Sequence, residues 1–344
     1  MTIRSIIPSI PLPLWPLIEL NYMSTITTDI DLALSYLKRG DIVAIPTETV
    51  YGLAGNAVSD AAIRKIYALK NRPLNHPLIM HVADDWDLSQ WVSTIPDYAK
   101  ALIKAFWPGP LTLVMHSKPG QVSPLITGGQ DTVALRCPKH PMALALLKRL
   151  GSPLVAPSAN PFGKISPTTA EHVQHSFKQD DLLILDGGRC QIGIESTIVL
   201  ATNPEGYQIL RHGLIAETEI NAVLPMRQLT ETSTIRVPGK LDSHYQPEKP
   251  LYCFAGPAAI NAFCQEAQAA VYVLSFAEKT KLVSSLHYQL PNSPVEVAFE
   301  LYYQLRRADE SEAQFIAIEL PPDEESWQGV KERILKAGHL SSTS

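Results

Sequence analysis

Lys70-Asn71-Arg72-Pro73 places two cations where a helical stretch, Asp60 to Leu69, has to stop. Pro73 biases Arg72 away from helix. Both charges therefore read as exposed at a helix C-terminus, where they either complement the helix dipole or hold an anion. Three further segments are apolar runs that break into short polar residues. Ile42-Val43-Ala44-Ile45 leads into Pro46-Thr47-Glu48-Thr49-Val50-Tyr51-Gly52-Leu53, a tip with three hydroxyls, a carboxylate and backbone freed by glycine. Leu154-Val155-Ala156 leads into Pro157-Ser158-Ala159-Asn160-Pro161, and then into Gly163-Lys164-Ile165-Ser166-Pro167-Thr168. Gly193-Ile194-Glu195-Ser196-Thr197 precedes Ile209-Leu210-Arg211-His212-Gly213. Hydroxyl and amide donors beside arginine forks suit phosphate and carboxylate ligands. Taken singly, such tips also cap turns without any ligand.

In this order and spacing the segments resemble the YrdC-like family, and within it the two-domain threonylcarbamoyl-AMP synthases. The similarity runs over roughly residues 28–225 and rests on 46–53, 70–73, 157–168, 195–197 and 210–213. Pro238-Gly239 followed by His244-Tyr245-Gln246-Pro247 is similar to the linker of the longer members. Phe162 departs from the family pattern, which implies a small polar residue there. The resemblance implies a catalytic tetrad of Lys70, Arg72, Ser158 and Asn160. It implies condensation of L-threonine, bicarbonate and ATP into threonylcarbamoyl-AMP with release of pyrophosphate, for modification of tRNA beside the anticodon. It also implies a downstream partner, the tRNA threonylcarbamoyl transferase complex.

Such a reaction brings two anions together, so it needs cations more than a covalent nucleophile. Lys70, Arg72 and Arg211 fit a triphosphate clamp, and Ser158, Asn160 and Ser166 supply neutral donors to phosphate or adenosine. Thr132 and Tyr245 complete the expected ATP set. Arg136, ending the run Thr132-Val133-Ala134-Leu135, either clamps the threonine carboxylate or faces solvent. Thr47, Thr49, Tyr51, His81 and Ser196 are expected at the threonine and bicarbonate end. No Walker motif is present, since Gly188-Arg189-Cys190-Gln191-Ile192-Gly193 continues as Ile194-Glu195. ATP is thus expected to be held by dispersed side chains. Mg2+ is expected to arrive with ATP, on its phosphates and water, and not on a protein site.

The elements that must position these groups follow from the apolar pattern. Strands are expected at 42–46, 78–82, 111–115, 132–136, 153–157, 182–186, 196–200 and 207–211. Helices are expected through Lys38 and at 60–70, 97–106, 141–150, 168–176 and 216–223. The alternation specifies an α/β fold; the resemblance implies a twisted mixed sheet around a concave cleft. A polar stretch at 226–250 reads as a linker too polar to pack a core. It is either a simple tether or, as the resemblance around His244 and Tyr245 suggests, a segment that folds over the cleft. A second β/α series follows at 251–340. It reads as a smaller Rossmann-like α/β domain, without GxGxxG. The catalytic domain is expected over 23–225. Residues 1–22 hold four prolines within IIPSIPLPLWPLIEL and read as a largely disordered extension, not a membrane span.

The chain has 344 residues, 18% charged, with a formal net charge of −5. That argues against a protein built mainly to grip RNA, so tight tRNA binding is not expected. An RNA-binding or ribosome-assembly module is the alternative from another class. Carbamoyl transfer in hydrogenase maturation is a second enzyme alternative, but its zinc-finger cysteines and acylphosphatase-like region have no counterpart. The four cysteines form no CxxC pair, as suits a reducing cytoplasm.

Overall fold

The computed structural model describes residues 23–224, 228–229, 233–239 and 244–340. The expected extension at 1–22 lies outside them. Ten short strands build the first sheet: β1 (Thr25–Thr27), β2 (Val43–Ile45), β3 (Gly52–Asn56), β4 (Ile79–His81), β5 (Leu111–His116), β6 (Thr132–Arg136), β7 (Leu154–Val155), β8 (Leu183–Leu185), β9 (Thr197–Leu200) and β10 (Gln208–Arg211). Their order is β1-β8-β2-β3-β7-β4-β6-β5-β9-β10. The sheet is mixed: β4 pairs parallel with β6, β5 parallel with β9, and β2 antiparallel with β3.

Every apolar run read as a strand of this sheet forms one. β1 and β3 had no such signal. Gly52-Leu53-Ala54-Gly55-Asn56 is too small and too glycine-rich to read as a strand. The reason is close packing: a Cβ on Gly55 would come within 3.0 Å of Ile66 Cδ1 on the helix above. Residues 46–51 are therefore the connection of an antiparallel pair, with Ile45 opposite Gly52, and not a free tip.

The six expected helices form at Ile30–Lys38, Asp60–Lys70, Asp97–Phe106, Pro141–Leu150, Ala170–Ser176 and Glu217–Val223. Asp29 caps the first through the amides of Asp31 and Leu32. Ser59 caps Asp60–Lys70, and Asn71 ends it in the left-handed region at φ 51°. Helix residues such as Ile63, Ile66, Tyr98 and Leu102 meet Met80, Leu113, Val133 and Leu135 in the main core. Because side chains alternate along a strand, Ile79, His81, Ala134 and Arg136 lie on the opposite face, where Ile79 and Ala134 pack with Ile198, Leu210 and Val237.

The second sheet is wholly parallel, in the order β13-β12-β14-β11-β15, from β11 (Leu251–Phe254), β12 (Val271–Ser275), β13 (His287–Gln289), β14 (Phe315–Glu319) and β15 (His339–Leu340). Its helices include Pro294–Glu310 and Gln328–Ala337. The two sheets are not separately cored. Val50, Ile165 and Ile194 from the first half are buried with Val297, Leu301, Tyr302 and Ile334 from the second. Gly193 sits at φ +89°, and a Cβ there would lie 2.2 Å from the carbonyl oxygen of Ala298.

The polar stretch between the sheets does not behave as a plain tether. Val237 seals the sheet face opposite the main core, and His244 and Tyr245 are buried. The His244 amide donates to the Lys336 carbonyl, and that of Gln246 to the carbonyl of Gly163. The expectation that 226–250 is too polar to pack fails at these residues, because single apolar and aromatic side chains suffice to close a narrow cleft.

Candidate active site

Under Pro238, Gly239, His244 and Tyr245 lies a cavity of about 50 Å³. Its floor is Ile79, His81 and Arg136 from β4 and β6. Its walls are Thr49 and Val50, Ala156-Pro157-Ser158, Arg72, Glu195 and Arg211, and its roof is Pro238, Gly239, His244 and Tyr245. A larger crevice, about 470 Å³, opens between Lys164, Lys178, Gln246 and Arg306. It mixes acidic and basic groups evenly and shares none of the expected site residues.

Lys70 and Arg72 are not exposed, contrary to expectation: they retain 1% and 8% of their accessible surface. The chain folds back after Asn71 and carries both under the loop after β7. Lys70 Nζ donates to the carbonyls of Ser158 and Asn160. Burial draws its ammonium well below the ordinary lysine value, and Arg72 adds to this. Arg72 donates to the Pro77 carbonyl at 2.8 Å, and burial lowers it to about 10. Its guanidinium lies 5.5 Å from the Phe162 ring, which also meets His76 and His244 edge to face. Phe162, the departure from the family pattern, thus bridges the site loop and its roof.

Arg211 reaches the cavity because the β9–β10 register shifts between Ile209 and Arg211, a bulge that re-aims a side chain. Its guanidinium donates to the Ser196 carbonyl, to Ser196 Oγ at 3.1 Å and to the Pro238 carbonyl at 3.1 Å. Arg136 does not face solvent. Its Nη2 lies 2.7 Å from Glu48 Oε1, at an angle that leaves both atoms without a directed hydrogen bond. His81 is held at about 3 by burial, with Arg136 adjacent.

Several expected ligand contacts are spent elsewhere. Thr47 Oγ1 closes its own turn on the Val50 carbonyl at 2.6 Å. The Tyr51 hydroxyl points into the fold, donating to the Gly188 carbonyl at 2.8 Å and accepting from Gly187 N. Neither lines the cavity; the β2–β3 pairing turns Thr49 and Val50 toward it instead. Thr132 shares the face of Arg136 but lies beyond Ala134, outside the cavity wall. Ser166 Oγ donates to Glu195 Oε1 at 2.5 Å. Ser196 Oγ is buried against Thr112 Oγ1 at 2.8 Å, within reach of Arg211 only. Asn160 donates to the carbonyls of Pro161 and Lys164. Ser158, His81, Arg136, Arg211 and Tyr245 do line the cavity.

Sequence reading missed Glu48 as the partner of Arg136, and it missed Glu195. The latter's signal was a lone carboxylate at the mouth of an apolar strand. Burial pushes Glu195 up, but Arg333, then Arg211 and Ser166, outweigh this and hold it at about 2. Four polar atoms of the lining make no directed hydrogen bond among the described residues: His81 Nδ1, Arg136 Nη2, which has only its ion pair with Glu48, His244 Nδ1 and the Tyr245 hydroxyl. Asn160 Oδ1, behind Ser158, is a fifth. Each such atom costs about 1–3 kcal/mol unless something bonds it, so their convergence marks a polar ligand site.

A buried concave cleft on a twisted mixed sheet, lined by arginines and orphaned polar atoms, defines a small-anion-handling α/β protein. Residues 35–213 match the Sua5, YciO and YrdC family, described as telomere recombination. The chain belongs to that family. Residues 215–338 match the threonylcarbamoyl-AMP synthase C-terminal domain. The chain is 40% identical to the threonylcarbamoyl-AMP synthase of Bacillus subtilis, over 92% of this chain and 94% of that one. It is 35% identical to that of Pyrococcus abyssi, over 90% and 93%. The crystal structure of P. abyssi Sua5 complexed with L-threonine superposes with a TM-score of 0.81 at 33% identity, covering 91% of this chain and 96% of that one.

Proposed function

We propose that this chain makes threonylcarbamoyl-AMP from L-threonine, bicarbonate and ATP, releasing pyrophosphate, in the cleft beneath Pro238, Gly239, His244 and Tyr245. The threonine amine attacks the carbon of CO2 or bicarbonate, losing water in the latter case, to give an N-carboxylate. That carboxylate oxygen attacks the α-phosphorus. The bond from α-phosphorus to the bridging oxygen breaks, and pyrophosphate leaves with the electron pair.

One observation carries this reading. Arginines from three parts of the fold, Arg72 just past the helix Asp60–Lys70, Arg136 on β6 and Arg211 on β10, converge where the one carboxylate of the described cavity wall, Glu195, is already ion-paired. Such a field favours a polyanion meeting a carboxylate. Arg72 and Arg211 carry the triphosphate, with Lys70 tying the Ser158–Asn160 loop beneath it. Arg136, oriented by Glu48, faces the threonine carboxylate. His81, neutral, and Thr49 supply hydrogen bonds at the same end, and Ser158 reaches the phosphates. The carboxylates present do not suit a protein-held Mg2+: Glu195 and Glu48 are both ion-paired, and no described cluster offers three ligands. Mg2+ belongs with the ATP phosphates and water.

The product serves tRNA modification beside the anticodon through a transferase complex that takes it up. The net charge of −5 supports hand-over of a small molecule in preference to tight tRNA binding by this chain. We assign the reaction to the cytoplasm; the cysteines are unpaired, and no described helix is long and apolar enough to cross a membrane.

Pyrophosphate release from ATP is expected to require both L-threonine and bicarbonate. Serine, one methyl smaller, should be the nearest competitor, disfavoured by about 10–200-fold. ATP turnover indifferent to threonine overturns the assignment.

A further inference from the structure

Glu195 is held by four residues that come from distant parts of the chain. Its Oε1 accepts from Ser166 Oγ at 2.5 Å. Its Oε2 accepts from the Tyr302 hydroxyl at 3.0 Å and from Arg333 Nε at 2.9 Å. Arg211 is the next positive charge acting on it. Tyr302 and Arg333 lie on the helices Pro294–Glu310 and Gln328–Ala337 of the second half. Arg333 has no exposed surface at all. It also donates to the His212 carbonyl at 2.6 Å, beside Arg211, and its guanidinium lies 5.3 Å from the Tyr245 ring. Glycine packing fixes this approach, since a Cβ on Gly329 would lie 2.3 Å from the carbonyl oxygen of Gly213.

We propose that the second half of the chain contributes a positioning residue to the active site: Arg333 is the counter-ion that occupies Glu195 and so leaves Arg211 available to the ATP phosphates. The inference rests on the reading that Arg211 serves the triphosphate. Glu195 links the loop of Ser166 to the strand of Ser196, which explains a carboxylate in an anion site. Left alone, it would bind the nearest cation, and both Arg211 and Lys70 feel its charge. Arg333 removes that competition without itself lining the cavity. The second half is then part of the catalytic apparatus, although it holds no substrate.

The test is ATP affinity by calorimetry, from pH 6 to 9, in the full chain. Arg333→Met should weaken ATP by about 10–100-fold, the effect of removing one charge-assisted hydrogen bond to phosphate. Adding Glu195→Gln, which keeps the shape and removes the charge, should restore affinity to within about 3-fold, because a buried pair replaced on both sides is close to neutral. In Arg333→Met the deficit should shrink as pH falls and the unpaired Glu195 takes up a proton, and the double variant should not show this slope. The groups facing Glu195 are Arg333, Arg211, Lys70, His244, Tyr245 and Tyr302; between the two variants only Glu195 itself differs. If Arg333→Met does not fold, the double variant decides: near-normal ATP affinity supports the proposal, and a deficit like that of Arg211→Gln overturns it. Normal ATP binding by Arg333→Met also overturns it. Arg211→Gln is the control for the site itself: if it binds ATP normally, the triphosphate assignment fails and not the counter-ion.

Discussion

Lys70 is a buried ammonium whose donors go to two carbonyls, while the nearest carboxylate is committed to Arg333. Burial lowers its pKa, so between that lowered value and the ordinary lysine range the unfolded chain binds more protons than the folded one. The free protein should therefore gain stability as pH rises through this window. ATP reverses the balance, because phosphate favours the charged lysine. ATP affinity should fall as pH rises through the lowered pKa, and binding should take up protons, measured by calorimetry in buffers of different ionisation enthalpy. Lys70→Ala should abolish the uptake; equal uptake in the variant would count against the lysine. Glu48 is the second residue-scale case. Glu48→Ala strands the buried Arg136 and leaves the Lys139 amide without its acceptor. Losing one partner of a buried pair costs about 3–5 kcal/mol, to be read from urea unfolding. A cost below about 1 kcal/mol would mean that Arg136 finds another anion or water, and that Glu48 does not orient it.

At the scale of elements, the turn from Cys190 to Ser196 joins the site to the second half, and its tightest point is Gly193. Gly193→Ala puts a methyl group into the Ala298 carbonyl and an L-residue at φ +89°. Overpacking of this kind costs about 1–3 kcal/mol. The expected result is a lower melting temperature together with weaker ATP binding, since Glu195 shifts away from Arg333. An unchanged melting temperature would show that the helix Pro294–Glu310 yields easily. The elements were largely legible in the sequence because branched apolar runs such as Thr132–Leu135 have a strand's period and length. β3 was not, because its glycines serve close packing, Gly55 against Ile66 and Gly52 against Ala156, and carry no period. The site was legible as polar breaks after those runs. Which hydroxyl faces the ligand was not: Thr47 and Thr49 look alike in sequence, and only the β2–β3 pairing separates a turn-closing threonine from a cavity-lining one. Arg333, 138 residues from Glu195, sits on the last helix of the second series, where no motif marks it, so its role needed the tertiary fold.

For the molecule as a whole, the decisive quantity is the volume of the cleft. About 50 Å³ holds a few waters at most, so a bound ATP either extends beyond that space or displaces part of the wall. The roof is the candidate. Pro238, Gly239, His244 and Tyr245 form it, and Tyr245 sits at φ 63°, a conformation a bulky residue adopts only under outside constraint. The floor strands β4 and β6 are pinned in a ten-stranded sheet, whereas the roof is held by separate contacts: His244 N to Lys336, Gln246 N to Gly163, Arg211 to the Pro238 carbonyl, Lys336 Nζ to the Gly239 carbonyl, Phe162 against His244, and Tyr245 stacked on Tyr302. Cutting the chain after Pro225 would not isolate this motion, because the cut also removes Arg333 and exposes Val50, Ile165 and Ile194. Hydrogen exchange of the intact chain does isolate it. On adding a non-hydrolysable ATP analogue, the amides of His244 and Gln246 should lose protection while those of β4 and β6 keep theirs. With ATP in place of the analogue and with L-threonine and bicarbonate present, the roof should close again over the product and protection should return, because lids of this kind exclude water from a labile acyl-adenylate. Unchanged exchange at His244 and Gln246 with the analogue bound would place the opening elsewhere in the wall.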